Sequence, residues 1–542
     1  MPRRCDRERY SSLRYGFVID QNRCIGCHAC TVACKEEHSV PVGVFRTWVK
    51  YIEKGEFPDA SRHFGVMRCN HCDAAPCVEI CPTSALFYRP DRIVDFDNSR
   101  CIGCKSCMQA CPYDALYIDP NSNTAAKCNF CAHRIEMELE PACVIVCPTQ
   151  AIIAGDLDDP ASSVSRIVAT QKVAARKPQK GTQPKLFYTG IEGDFLQPSM
   201  MEQEESQMWA ERSPASNPYS IEPSRPEPER NGKARTPGAA RVVYDVAHKQ
   251  PWGAIPAFYL WTKSIAAGAL IVAAILLSVS HDAGARGTQA FLNLAAPAVA
   301  IAFLGLTVLL LIADLHRPDR FYFILTKPNW RSWLVRGTWV LAAYGMLSLA
   351  WIGYGFFRAS IPPWLFWIAA VAGAGSACYS AFLFAQAKGR DLWQSPLFLW
   401  HLLAQAILAG AAILIILAAA AAILHITDLA GEGLRQVQSL DRILIASLAL
   451  SALMVLGEVS LPPFSEDVHR ATRLLISGAL SRAFWLGFIG AGTALPIIAL
   501  WLALDRRGPD LILSLGAAVL ALGGLLIFET LWIVAGQAPA LS

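Results

Sequence analysis

A large charge surplus is missing from this chain: 48 Lys and Arg stand against 44 Asp and Glu, a net +4 over 542 residues. That balance gives no reason to expect a nucleic-acid partner. An apolar run is missing behind Arg3 and Arg4. The basic stretch Met1–Tyr15 leads straight into FVIDQNRC, so a solvated tail is expected there and not a secretory or twin-arginine signal. Aliphatic residues are sparse from Glu202 to Gly238, a stretch rich in Pro, Ser, Glu and Arg. Such a composition cannot bury enough surface to order alone and reads as a linker. Long apolar runs are missing from the front of the chain yet dominate from about Ala257 onward. A soluble module followed by a membrane module is therefore expected, with boundaries at 1–160, 161–256 and 257–542.

What the front third does hold is cysteine. Sixteen of the 18 cysteines fall into four groups. These are Cys24, Cys27, Cys30 and Cys34; Cys69, Cys72, Cys77 and Cys81; Cys101, Cys104, Cys107 and Cys111; and Cys128, Cys131, Cys143 and Cys147. The first and third read C-x2-C-x2-C-x3-C. Three closely spaced thiolates can hold one iron–sulfur cube, and the fourth, set beyond them, reaches a neighbouring cluster. Four such groups predict four [4Fe–4S] clusters in two interdependent pairs. Pro82, Pro112 and Pro148 follow the last cysteine of groups two to four, as in bacterial ferredoxin runs, whereas Lys35 takes that place in group one. RCIGCHACTVAC returns as RCIGCKSCMQAC, which points to duplicated modules too small to fold without metal.

Two other uses of cysteine compete. Structural zinc also takes C-x2-C pairs but needs only four ligands, which leaves the recurring third and fourth cysteines unexplained. Disulfides need an oxidising compartment. Cys5 and Cys378 stand outside the lattice and read as non-ligands. FGVM and RIVDF read as short strands, with short helices expected after the proline-capped cysteines. SVSRIVATQKV reads as a helix and KLFYTG as an extended segment. The fold class is an α+β ferredoxin-like tetra-cluster domain followed by an all-α eight-helix transmembrane bundle.

The eight apolar stretches fall at 258–280, 290–313, 337–357, 364–386, 397–424, 443–461, 483–504 and 511–534. An even number puts both ends of the bundle on one side. Loops on the cluster side carry Arg317, Arg320, Lys327, Arg331, Arg336, Lys388, Arg390, Arg470, Arg473 and Arg482. Opposite loops carry Arg286, Arg358, Arg435, Arg442, Arg506 and Arg507. That bias places the cluster domain in the cytoplasm and the bundle in the inner, or plasma, membrane.

Ionisable groups inside apolar spans are rare and usually functional. Lys263 sits early in the first span, and Asp314, His316 and Arg317 close the second. His401, Gln405, Glu458, Glu529 and Tyr379 lie within later spans. Each has a plain alternative: Lys263 can snorkel, Asp314 and Arg317 can pair to close a helix end, and His401 can bond a neighbouring backbone. Glu458 and Glu529 read as a proton relay. Clusters carry single electrons, and a bundle with protonatable groups facing them suits a quinone. Lys263, Asp314, His316 and Tyr379 are the candidate proton donors.

On these residues the front third resembles the four-cluster electron-transfer subunit of the dimethyl sulfoxide and polysulfide reductase family, almost throughout KCNFCAHRIEMELEPACVIVCPTQAI. The rear resembles the NrfD/PsrC quinone-reactive anchor through ADLHRPDRF and TKPNWRSWLVRG, here fused to the front in one chain. The resemblance implies four ligand sets: Cys24, Cys27 and Cys30 with Cys147; Cys128, Cys131 and Cys143 with Cys34; Cys69, Cys72 and Cys77 with Cys111; and Cys101, Cys104 and Cys107 with Cys81. It also implies a separate catalytic subunit carrying a molybdopterin site, for which nothing in this chain has the residues. The chain itself would be the electron-transfer and anchor subunit of a quinone-linked oxidoreductase. Menaquinone or ubiquinone would bind at the cluster-side end of the first four spans, with Lys263, Asp314, His316, Arg317 and Tyr379 as the candidate cofactor-binding residues.

Overall fold

The structure is a computed structural model and describes residues 13–55, 58–190, 196–198, 201–203, 240–248, 250–279, 286–357, 361–423, 432–505 and 510–542. Cys5, the basic tail through Ser12, most of the Glu202–Gly238 segment and the loop residues Arg358, Arg506 and Arg507 lie outside them.

Beside two two-stranded hairpins, Leu86–Tyr88 with Val94–Phe96 and Leu116–Asp119 with Thr124–Lys127, the front of the chain is built on two small sheets. The strands are β1 (Tyr15–Asp20), β2 (Thr47–Lys54), β3 (Ser61–Arg68), β4 (Ile152–Asp156), β5 (Leu186–Thr189), β6 (Glu202–Gln203) and β7 (Arg241–Tyr244). In the first sheet β1 is central, antiparallel to β4 and parallel to β5. Phe17, Val18 and Ile19 are all buried, as a strand covered on both faces requires. In the second sheet the order is β6-β7-β2-β3. Strands from beyond residue 160 thus complete both sheets: Leu186 pairs with Phe17, and Val242 with Ile52.

Short helices accompany the cysteines: α1 (Ala29–Glu37), α2 (Pro76–Ile80), α3 (Ser106–Ala110) and α4 (Ala142–Ile145). They begin before the third cysteine of each group, not after the prolines as expected. The C-x3-C spacing is one helical turn, which is where the helix winds. Pro82 and Pro112 then lead into turns and short strands.

Eight helices are long and apolar enough to cross a membrane: Ile255–Val279, Leu292–Ala313, Trp333–Phe357, Pro363–Gln386, Phe398–Ala422, Gln436–Ser460, Ala483–Asp505 and Leu511–Gln537. The sixth starts earlier than expected, and Arg442 lies inside it rather than in a loop. Its neighbour Asp441 is accommodated by the Ser514 hydroxyl, which donates to Oδ2 at 2.8 Å. The seventh opens with a π-helical run, Ala483–Ala494, with no counterpart in the hydrophobic pattern. Gly492 there lies against the Gly524 backbone of the eighth span. Spans one and five touch backbone to backbone at Gly268 and Gly410, the small-residue contact that lets membrane helices approach closely.

The outward surface of the bundle is apolar, with Leu309, Met346, Val371, Leu453 and Ile512 all exposed. Exposed tryptophans mark its two edges: Trp330, Trp400 and Trp485 toward the cluster domain, and Trp364, Trp367 and Trp501 at the far end. Such belts sit at the two interfaces of a bilayer. The protein is a multi-pass membrane protein.

Candidate functional site

The two CIGC loops fold alike. Gly26 and Gly103 have φ of +69° and +70°, and His28 and Lys105 have φ of 59° and 61°. A side chain at Gly26 would strike the Phe64 ring, and one at Gly103 would strike His316. The duplication read from the sequence is thus a duplication of backbone shape.

The folded chain gathers the thiols into four sets. Burial, and then the thiols of Cys128, Cys143 and Cys131, push the Cys34 thiol up. Cys24 interacts with Cys147 and Cys27. Cys77 interacts with Cys111, Cys69 and Cys72. Cys81, Cys101, Cys104 and Cys107 line one small cavity. Links between sets put them in a row: Cys30 with Cys143, Cys69 with Cys128, and Cys107 with Cys77. Backbone N–H groups point at the sulfurs. Ala151 N lies 3.2 Å from Cys147 Sγ, and Gly103 N and Ala125 N each lie 3.4 Å from Cys101 Sγ. Among the described residues no three His, Cys, Asp or Glu side chains converge on a single-ion position.

The row ends against the membrane domain. The loop after the second span lies along the third cysteine group: His316 N donates to Gly103 O at 3.3 Å and Arg317 N to Ile102 O at 3.2 Å. Arg320 donates to the carbonyls of Asn98 and Cys101. The loop before the third span holds the end of group two, with Asn329 Nδ2 donating to Cys81 O at 2.8 Å and Ser332 Oγ to Ile80 O at 2.7 Å. Arg390 donates to Gln109 Oε1 at 2.8 Å.

The candidate quinone residues divide into two places. Lys263 and Tyr379 come together inside the bundle. Lys263 is fully buried, so it does not snorkel; Nζ donates to Ser380 Oγ at 2.6 Å and Ala377 O at 2.9 Å, and lies 4.8 Å from the Tyr379 ring centre. Asp314, His316 and Arg317 sit on the junction loop. Asp314 pairs with Lys105 at 2.9 Å, whereas Arg317 pairs with Asp319 at 2.8 Å, so the Asp314–Arg317 helix-closing pair does not form. Burial pushes the Asp314 carboxyl up, against the pull of Lys105, and pushes the His316 imidazole down. Tyr259, one turn before Lys263, lies within electrostatic reach of both Tyr379 and Asp314 and links the two places. Reading the sequence missed Tyr259, Ser380 and Lys105. The i, i+4 spacing of Tyr259 and Lys263 was the one available signal.

A family model described as polysulphide reductase, NrfD, matches residues 243–539. This protein belongs to the NrfD polysulphide reductase family. Ahead of this NrfD domain, two models described as 4Fe-4S dicluster domains match residues 61–157 and 23–86. The front of the chain is 43% identical over 202 residues to a tetrathionate reductase subunit of Salmonella typhimurium, covering 36% of this protein and 80% of that one. It is 42% identical over 179 residues to a polysulfide reductase chain of Wolinella succinogenes, covering 32% and 93%. It is 44% identical over 180 residues to protein NrfC of Escherichia coli K12, covering 33% and 81%. The protein is thus an iron–sulfur electron-transfer module fused to an NrfD membrane anchor.

The residues fit iron–sulfur clusters on one further count. Arg68 is fully buried, with Nη1 3.1 Å from Cys143 Sγ, while its Nε and Nη2 have no protein partner. A buried cation needs a compensating anion. The two thiolate-ligated clusters that Cys30 on one side and Cys128 and Cys143 on the other would hold supply it.

Proposed function

We propose that this protein carries electrons between a catalytic reductase subunit and a lipid-phase quinone, menaquinone or ubiquinone, through four [4Fe–4S] clusters held by the sixteen cysteines in the four sets named above. Bound clusters supply one-electron transfer and nothing else. Substrate chemistry belongs to a partner: the names of the similar reductase subunits support a catalytic reductase subunit, and the family resemblance implies that it carries molybdopterin. The observation that carries the reading is the seating of the Asp314–Arg320 loop on the backbone of Ile102–Lys105. It brings the last thiol set of the row against the membrane domain, with Lys263 and Tyr379 behind it. Lys263 can donate a proton or a hydrogen bond to a quinone oxygen, and Tyr379 walls the ring. The surplus of basic residues in the cluster-side loops supports a cytoplasmic position for the cluster domain in the inner membrane.

The test is anaerobic mixing of the purified protein with a short-chain quinol while cluster absorbance is followed. Quinol should bleach the clusters. Lys263→Leu should slow this by about a hundredfold with iron content unchanged; an unaltered rate would remove Lys263 from the site. A second reading, redox-driven proton translocation, draws on the buried carboxyl of Glu529. Protons moved across sealed vesicles beyond the two that quinone chemistry itself exchanges would favour it.

A further inference from the structure

Quinone reduction consumes protons as well as electrons, and Lys263 is sealed from water. The bundle also holds a group of buried polar atoms that make no hydrogen bond to the protein. His401, in the fifth span, is 1% exposed, and neither ring nitrogen has a hydrogen-bond partner. Its Nε2 lies 3.3 Å from Glu458 Oε2 of the sixth span, an oxygen itself without a hydrogen bond. Gln405, one turn deeper than His401, leaves its Nε2 unpaired. Glu529, in the eighth span, is 3% exposed, with neither carboxyl oxygen bonded. On the same helix Phe528 and Trp532 have ring centres 6.4 and 6.2 Å from that of His401. Glu529 also interacts electrostatically with Lys263.

Leaving such atoms unsatisfied is costly. Native interiors meet that cost with buried water where the site is polar and roomy. The room is there. Glu458 lines a cavity of about 550 Å³, walled also by Ser395, Leu397, Phe464, Arg473 and Trp532. It lies between the loop after the fourth span and the helix Glu466–Ile476, both on the cluster side. The cavity mouth at Glu458, the Glu458–His401 pair and the Glu529 carboxyl come from the sixth, fifth and eighth spans, and Glu529 is the member within electrostatic reach of Lys263.

We propose that Glu458, His401 and Glu529 line a hydrated proton-entry path from this cavity to Lys263, resting on the quinone reading above. Quinone takes up two electrons, arriving singly by way of the cysteine-bound iron, and two protons, arriving by this path; each carbonyl oxygen becomes an O–H. In the opposite direction two O–H bonds break, and the protons leave by the same mouth. His401 suits the middle position because it can accept a proton on one nitrogen and release it from the other.

The experiment uses the full-length protein in nanodiscs, with a short-chain quinol, cluster absorbance for electron arrival and a pH dye for proton release. In the unaltered protein two protons should appear per quinol. Glu458→Gln and His401→Gly should slow proton release and cluster bleaching about a hundredfold, while quinol affinity and iron content hold. Added imidazole should restore His401→Gly, which a merely structural role would not allow. Should His401→Gly fail to assemble, Glu529→Gln gives the same reading. Wild-type proton release in Glu458→Gln and Glu529→Gln, with normal cluster reduction, overturns the path and leaves the quinone reading standing. Failure of quinol to reduce the clusters of the unaltered protein overturns both.

Discussion

Lys105 Nζ donates to Asp314 Oδ1 at 2.9 Å, joining the loop between two cluster cysteines to the end of the second membrane span. Lys105 is 8% exposed, so the pair is largely shielded from water. Asp314→Ala should leave the ammonium buried without its anion, at a cost of about 1–3 kcal/mol. The expected result is a lower unfolding temperature for the purified protein and slower quinol-driven bleaching. Equal melting and equal rates in variant and parent would show that the contact is incidental.

In the partnering proposed above Cys147 closes the Cys24 set, with which it interacts, at the end of the row away from the membrane. Cys147→Ser should release that cluster and disturb its neighbour, which Cys34 completes. Iron should fall from about sixteen to about twelve or fewer per chain. Electron paramagnetic resonance should keep the signals of the sets completed by Cys111 and Cys81. Four intact signals would contradict the partnering.

Much of this was legible in the residues, for physical reasons that differ by region. The cysteine lattice was readable because cluster ligation fixes short spacings, and CIGC recurs with the same left-handed glycine. The spans were readable because hydrocarbon tolerates few charges; the sixth was misplaced at its start because Asp441 finds Ser514 in the fold, which no linear pattern reports. The junction was not readable. Lys105 differs from its repeat counterpart His28, but only the fold places it 2.9 Å from Asp314, 209 residues away. KLFYTG reads as extended and forms β5, but its pairing with β1 was not readable, and β7 was hard to assign because four residues of ordinary composition pair only with a distant strand.

Arg68 sits where two thiol sets meet, against Cys143 and within electrostatic reach of Cys30 and Cys128. A fixed positive charge there favours the more negative, reduced form of both clusters. Arg68→Gln should therefore lower their midpoint potentials, while the two sets nearer the membrane stay as they are. Redox titration followed by electron paramagnetic resonance, with iron content as control, reads this directly. Arg68→Lys should fall between the two. Unchanged potentials at full iron content would remove Arg68 as a tuning group.

His248 ties the segment entering the membrane domain to the cluster domain. Its Nδ1 lies 2.5 Å from Asp114 Oδ2 and its Nε2 3.5 Å from Asp245 Oδ1, and Asp245 also holds Lys50 at 3.1 Å. Burial opposes the imidazolium, but the two carboxylates outweigh it and carry the group up to about 9. The unfolded chain would release that proton near the ordinary value of about 6.5. The folded form therefore binds the extra proton between those values, and stability from this clamp is complete below pH 6.5 and lost as pH rises through 9. Thermal unfolding of the purified protein should show a decline across that window. His248→Gln, which keeps a hydrogen bond but cannot carry the charge, should melt lower at pH 6 and should lack the decline. A parent protein whose melting temperature is flat from pH 6.5 to 9.5 would mean that His248 is neutral in the folded state.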